Sequence, residues 1–370
     1  MTPAVGPARA CAEIDLAAYA ANVHTLQQRI GSVALMCVVK ADAYGHGAVP
    51  IARAARAAGA AWLGVAFIDE ALQLRAAGDS GPLLAWLLHL DDDVAAAIAA
   101  DVDLSISTVQ QLHLVTSAYR NAGRRPRVHI ELDTGLSRGG AAPETWLALF
   151  RAAAHLDVVS IWSHLACADD PADAANDAQK AEFDRAITVA HACGVVPAMR
   201  HLANSAATLT RDDMHYDLVR VGMASYGVSP MNDNAEQFGL QRVMTVKAEV
   251  AMVREVPAGT GVSYGHVYRT QRATRLALLP LGYADGLPRA GTNVAEVALG
   301  SERFRAAGTI CMDQFVIDVG DHEVSVGDTV TIFGQGGTSA EEWARASGTI
   351  GYEMTTRIGA RLAKRYVGGA

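Results

Sequence analysis

Val33-Ala34-Leu35-Met36-Cys37-Val38-Val39-Lys40 runs straight into Ala41-Asp42-Ala43-Tyr44-Gly45-His46-Gly47. The first part is apolar without alternation, the pattern of a strand buried on both faces of a parallel sheet. It stops at a lysine. The carboxyl ends of such strands are where α/β enzymes place their chemistry. An amine beside a dry interior has its pKa lowered by burial, which makes it nucleophilic, as a Schiff-base lysine must be. The glycines allow a tight turn and close backbone approach to a ligand, with a helix after them. A lone lysine of this kind is also read as a solvated cap on an edge strand, and the rest of the chain has to decide.

Strand-like runs recur at 33–39, 62–67, 82–87, 104–107, 127–133, 158–165, 197–202 and 217–223. Helix-like segments lie between them, among them Asp69 to Ala77, followed by Gly78, and Asp177 to Cys193, followed by Gly194. Glycine there suits a helix C-terminus. Eight such units predict an α/β fold, a (β/α)8 TIM-type barrel. A doubly wound open sheet is the alternative, but no G-x-G-x-x-G follows the first strand. Before the barrel, Leu16, Tyr19, Val23, Leu26 and Ile30 fall at helical spacing. After about residue 236 the runs become short, β-branched and divided by Gly or Pro. They are 246–250, 276–280, 294–299, 315–319 and 329–333. This predicts a mainly antiparallel β domain over 236–370, behind a barrel domain over 11–235. Ser339 to Ala346 and then Tyr352 to Tyr366 read as helical.

The chain has 370 residues, enough for two domains with substantial cores. Its formal net charge of -8, with no block of Lys or Arg, argues against a nucleic-acid surface. Cys11, Cys37, Cys167, Cys193 and Cys311 are scattered without metal-ligand spacing, as for free thiols in a reducing compartment. Nothing resembles a signal peptide or approaches a membrane span. A cytoplasmic protein acting on small molecules is expected.

The stretch Val38 to Gly47 closely resembles the pyridoxal-phosphate lysine motif of the alanine racemase family. Further matches follow in order: Gly261-Val262-Ser263-Tyr264-Gly265, Gly282-Tyr283-Ala284-Asp285-Gly286 and Gly308-Thr309-Ile310-Cys311-Met312-Asp313-Gln314. Together they are specific and span the chain from Cys11 to Tyr366. The resemblance implies pyridoxal 5'-phosphate as cofactor, with Lys40 as anchor and as one of two bases. Tyr264 is implied as the opposed base, and His164 as its hydrogen-bond partner. A free tyrosine titrates near 10, so this role requires neighbouring positive charge or donors. Arg220 is implied to face the pyridine nitrogen. A guanidinium does not give up its proton, so it leaves that nitrogen unprotonated, which favours racemisation over side reactions. Phosphate contacts are implied for Tyr44, Asn204, Ser205, Gly222, Met223 and Tyr352. Substrate contacts are implied for Arg138, Met312, Tyr264 and Tyr283, with Asp169 and Arg289 as looser matches at the entrance.

Several of these have plainer readings. Tyr44 alone would be packing, Asn204-Ser205 an ordinary helix cap, His164 a satisfied barrel histidine, and Cys311 a packed thiol. In the family the N-terminal residues return to the β domain, which makes residues 1–10 candidates for it. The family also implies a head-to-tail homodimer, each barrel's Lys40 meeting the partner copy's Tyr264 and Met312, and a role in supplying D-alanine for the cell wall. One position departs. Where most of the family has a carboxylated lysine, this chain has Glu131, expected to be the anion that fixes Arg138. Competing functions are a non-catalytic pyridoxal-phosphate barrel, a decarboxylase of the same barrel class, and racemisation of another amino acid such as serine. Residues 236–370 argue against the first, and Arg220 in place of a carboxylate argues against the second.

Overall fold

A computed structural model describes residues 9–122 and 124–369. The first strand, β1 (Ala10–Asp15), is followed by a helix, Leu16–Ile30. Eight strands then alternate with helices: β2 (Ala34–Val38), β3 (Trp62–Val65), β4 (Leu83–Ala85), β5 (Asp103–Ile106), β6 (Arg127–Glu131), β7 (Asp157–Trp162), β8 (Met199–His201) and β9 (Leu218–Val221). Each pairs in parallel with its neighbour, in the order β8-β7-β6-β5-β4-β3-β2-β9. Between β8 and β9 the Asp217 amide donates to Arg200 O at 3.1 Å and the Arg220 amide to Ala203 O at 3.0 Å. The ring is thereby closed and no strand is left as an edge. Every predicted barrel strand is present. Except for β5, the observed strands are shorter than the apolar runs because a run continues into the turn where the ladder has already ended. Leu35, Met36, Cys37, Leu63, Leu84, Leu104 and Ile130 are buried, which explains why these strands read as continuous apolar stretches.

Two compact units result. Of the described residues, one holds 20–43, 48–122 and 124–225; the other holds 9–19, 44–47 and 226–369. The second unit contains a six-stranded sheet in which β1 lies between Met244–Glu249, antiparallel, and Ala363–Val367, parallel. It also contains a three-stranded antiparallel sheet of Met252–Val256, Thr274–Leu279 and Phe315–Gly320. Residues 11–19 and 226–235 therefore group with the C-terminal unit, whereas the sequence reading assigned them to the barrel. β1 is bound edge to edge by the later strands, and hydropathy carries no sign of that. Residues 1–8, expected beside this sheet, lie outside the described residues.

The tail corrects the sequence reading in a second place. Helix Gly351–Thr356 ends early, and Ala363–Val367 is a strand rather than helix. The Gly359 amide turns to Asp285 O at 3.3 Å, and Lys364, Arg365 and Tyr366 form an edge beside β1. A charged edge strand is a protected one, and its polar residues hide the period that marks a strand. Among the described residues, no helix is long and apolar enough to cross a membrane.

Candidate active site

β2 ends just before Lys40, and the backbone then leaves the usual regions. Ala41, Asp42, Ala43 and Tyr44 have φ of 53°, 52°, 54° and 53°, a left-handed turn built without glycine. Each such residue costs roughly 1–2 kcal/mol, so the turn must be held from outside. Glu70 does part of this. Its Oε1 accepts the Ala41 amide at 2.6 Å, and its Oε2 accepts those of Ala66 and Phe67 at 2.9 and 3.0 Å. Asp42 Oδ1 accepts the Ala48 amide at 2.7 Å. Lys40 Nζ lies 5.7 Å from the centre of the Trp86 ring. Burial lowers the Lys40 pKa, Arg138 lowers it further, and Glu70 opposes them. The result is an amine more often neutral, and more nucleophilic, than one in water.

Arg220, on β9, is 5% exposed. Nη1 donates to His201 Nδ1 at 3.0 Å and to His201 O at 3.1 Å. Nη2 donates to Ser163 O at 2.8 Å, Leu202 O at 3.2 Å and His164 Nδ1 at 3.2 Å. The guanidinium lies 4.7 Å from the Trp162 ring centre. Burial brings its pKa down to about 10, with Glu131 opposing, so it stays charged at neutral pH. Its terminal N–H groups are committed, and Nε–H has no acceptor among the described residues. His164 is brought down to about 3, by burial first and then by Arg220, Arg138 and Lys40. A neutral imidazole that accepts at Nδ1 carries its hydrogen on Nε2. His164 is therefore a fixed donor there, more than the packed histidine of the plainer reading.

Glu131 behaves differently from its expected role. Burial raises its pKa; the charge of Arg220, the Ser107 hydroxyl at 3.3 Å and, after these, Arg138 oppose it. Among the described residues, no hydrogen bond or ion pair joins Glu131 to Arg138. Glutamate is too short for the reach of a carboxylated lysine, and its charge acts mainly on Arg220. Arg138 is instead carried by a loop wrapped on Asp133, whose Oδ1 accepts the amides of Gly135, Leu136 and Ser137 at 2.9, 3.0 and 3.1 Å.

Asn204 caps the helix Ser205–Thr210 through the Ala207 amide. Ser205 Oγ accepts the amides of Gly222 at 3.0 Å and Ala224 at 3.4 Å. Its own hydrogen has no acceptor among the described residues, and Met223 is buried beside Gly222. A hydroxyl with a free hydrogen, at a helix N-terminus, suits an anion. The barrel thus offers an amine with a lowered pKa, a guanidinium Nε–H and an uncommitted hydroxyl hydrogen at a helix N-terminus, groups that fit pyridoxal phosphate.

The remaining predicted residues belong to the C-terminal unit. Tyr44 and Tyr352 approach with ring centres 6.3 Å apart, and Tyr44 lies 5.0 Å from Tyr226. Tyr264, Met312 and Tyr283 are linked through a few backbone groups. Thr309 Oγ1 donates to Tyr264 O at 2.9 Å; the Tyr283 amide donates to Cys311 O and that of Ala284 to Met312 O, both at 3.0 Å. Ser263, beside Tyr264, has φ of 60° and ψ of -170°, a region that strongly favours glycine. Its hydroxyl donates to Thr309 O at 2.7 Å. Cys311 Sγ contacts Ser263 Oγ at 3.3 Å and has a packing role. Tyr264, Met312 and Tyr283 are 75%, 52% and 41% exposed. Asp169 and Arg289 are also exposed. Sequence reasoning missed Trp86 and Glu70, because neither sits in a motif and only the fold brings them to Lys40.

Residues 14–230 match the model of the alanine racemase N-terminal domain and residues 243–366 that of the C-terminal domain. An alanine racemase of Frankia casuarinae is 51% identical, over 99% of this chain and 98% of its own. The crystal structure of the alanine racemase of a D-cycloserine-producing Streptomyces lavendulae superposes with a TM-score of 0.97 at 47% identity, covering 99% of both chains. That of Bartonella henselae, solved with covalently bound pyridoxal phosphate, gives 0.90 at 29% identity, over 98% of this chain and 100% of its own. The chain belongs to the alanine racemase family.

Proposed function

We propose that Lys40 Nζ and Tyr264 Oη are the two groups that take and return the α-proton of alanine, on opposite faces of its α-carbon, with Tyr264 supplied by a second copy of the chain. The activity itself is the interconversion of L- and D-alanine with pyridoxal phosphate as cofactor. When bound, that cofactor makes the α-proton acidic by delocalising the charge left behind. Lys40 anchors it. Ser205 Oγ, the Gly222 and Met223 backbone, Asn204, Tyr44 and Tyr352 hold its phosphate. Arg220 offers Nε–H toward its ring nitrogen and keeps its own proton. Lys40 Nζ, its pKa lowered by burial and Arg138, accepts the proton on one face. Tyr264 Oη gives one on the other, and the Nε2–H of His164 stabilises the phenolate that remains. Arg138 and the Met312 amide hold the substrate carboxylate. Tyr283 narrows the entrance to small side chains.

The observation that carries this reading is the donor arrangement of Arg220, a buried cation with one N–H left over. The exposure of Tyr264, Met312 and Tyr283 supports a covering second copy, since large apolar groups left open mark contact surfaces. Borohydride reduction of the protein with pyridoxal phosphate, followed by peptide mass mapping, should place the cofactor on Lys40. A label on any other lysine contradicts the assignment.

A further inference from the structure

Five successive barrel strands each contribute a polar side chain to one series: Asp103 (β5), His129 (β6), Ser160 (β7), His201 (β8) and Arg220 (β9). The first four are wholly buried. They form a continuous series. Asp103 Oδ2 lies 3.0 Å from His129 Nε2, and His129 Nδ1 lies 2.6 Å from Ser160 Oγ. Ser160 Oγ lies 2.8 Å from His201 Nε2, and His201 Nδ1 lies 3.0 Å from Arg220 Nη1. Asp103 Oδ1 is taken by Arg127, whose Nε donates at 2.8 Å and whose Nη2 also contacts it. Trp162 stacks on His201 with ring centres 5.7 Å apart and planes 7° apart, and Trp62 meets His129 edge-on at 5.3 Å.

The protons in this series have one fully satisfied arrangement. A guanidinium only donates, so His201 Nδ1 must be bare and its hydrogen sits on Nε2. That hydrogen goes to Ser160 Oγ. The hydroxyl hydrogen then has His129 Nδ1 as its acceptor, so the His129 hydrogen sits on Nε2 and goes to the Asp103 carboxylate. The series points in a single direction, from the Arg220 cation to the Asp103 anion. Reversing it would set a His201 Nδ1–H against an Arg220 N–H, donor against donor in a dry interior, where a buried unpaired group costs about 1–3 kcal/mol.

We propose that Asp103, His129 and Ser160 form a relay that fixes His201 as an acceptor and so holds Arg220 with its Nε–H free for the cofactor's ring nitrogen. They are positioning residues, since none reaches the reacting atoms. The proposal rests on the placement of Arg220 given above. Its consequence is reaction specificity: a guanidinium held in one orientation keeps the ring nitrogen unprotonated, and a loosened one admits transamination.

Neutron diffraction from perdeuterated crystals of the protein with pyridoxal phosphate reads the relay directly. Deuterons are expected on Nε2, and not on Nδ1, of both His129 and His201. A deuteron on His201 Nδ1, or on both nitrogens of either ring, overturns the relay whatever Arg220 does. The second measurement is the ratio of transamination to racemisation. Ser160→Ala should raise it about tenfold with the KM for alanine nearly unchanged, and Ser160→Thr should restore it, because outer hydrogen-bond partners of a functional group are worth about 10–100-fold. An unchanged ratio in Ser160→Ala overturns the positioning role. Asp103→Asn should raise the ratio further; Ser160→Ala decides the matter if that variant does not fold. Arg220→Lys separates the two readings. If it leaves the ratio at the native value while the deuterons are as expected, the placement of Arg220 fails and the relay stands.

Discussion

The barrel mouth and the Tyr264 surface of the C-terminal unit, the two regions proposed above to share one reaction, are built in opposite ways. In the barrel, Arg220, His164 and Ser205 sit with their donors and acceptors already assigned, and burial has shifted the lysine, arginine and histidine before any ligand arrives. On the other unit, Tyr264 is 75% exposed and Met312 52%. Their backbone is well held, but their side chains lie open among the described residues. One region is preorganised by its own fold. The other presents groups whose electrostatic setting must come from what covers them.

Two substitutions break the two halves in turn. Lys40→Ala removes anchor and base together, and kcat/KM should fall by at least about 10⁴-fold, as when a covalent catalytic group is lost. Peptide mapping after borohydride should show no cofactor at residue 40. Retained racemisation would take Lys40 out of the mechanism. Tyr264→Phe keeps the anchor and removes a single acid–base hydroxyl, a loss of about 10²–10⁴-fold. Cofactor binding should persist, and solvent deuterium should exchange into only one alanine enantiomer. Native rates in both directions would dismiss Tyr264.

A smaller effect sharpens the contrast on the barrel side. Ser205→Ala removes the uncommitted hydroxyl of the anion cradle, and the Kd for pyridoxal phosphate should rise about tenfold at near-native kcat, the scale of one hydrogen bond to a charged group. Equilibrium dialysis reads this, and an unchanged Kd would empty the cradle of its role. Smaller again is an effect of acid. His164 and His201 are held neutral, far below 6.5, by burial and the neighbouring cations. Their folded pKa values are depressed, so the unfolded chain binds more protons, and stability present above about pH 6.5 is lost as pH falls through that value. Urea melts from pH 7.5 to 5 should show this slope, and His201→Asn should flatten it. An unaltered slope would mean that the acid lability arises elsewhere.

What the sequence revealed follows the same division. The eight barrel strands were legible because a parallel strand covered on both faces is a plain apolar run, and Lys40 stood at the end of the clearest one. Strands Met252–Val256 and Glu302–Arg305 escaped, being largely exposed and charged, and Ala363–Val367 was read as helix for the same reason. At the site, motif residues were found where they stand in compact stretches. Asp103, His129 and Ser160 were not singled out, since each is a polar residue flanked by apolar ones and their connection exists only across the closed barrel. Their signal was present all the same. A polar side chain within a buried strand needs a partner, and five consecutive strands carry one. Glu131 misled because it stands where the family has its carboxylated lysine, whereas its shorter side chain is influenced by Arg220 more than by Arg138.

The central claim is that a complete site joins one chain's barrel to another chain's Tyr264, and mixing two crippled proteins tests it directly. Lys40→Ala and Tyr264→Phe homodimers are each inactive under this account. A hybrid of the two has one site with both substitutions and one site with neither. After unfolding and refolding as an equal mixture, half the dimers should be hybrids, and about a quarter of the native activity should return, as the symmetry of a two-fold dimer requires. If instead each site is built within one chain, no assortment restores it, and a mixture that stays as inactive as its components would contradict the account.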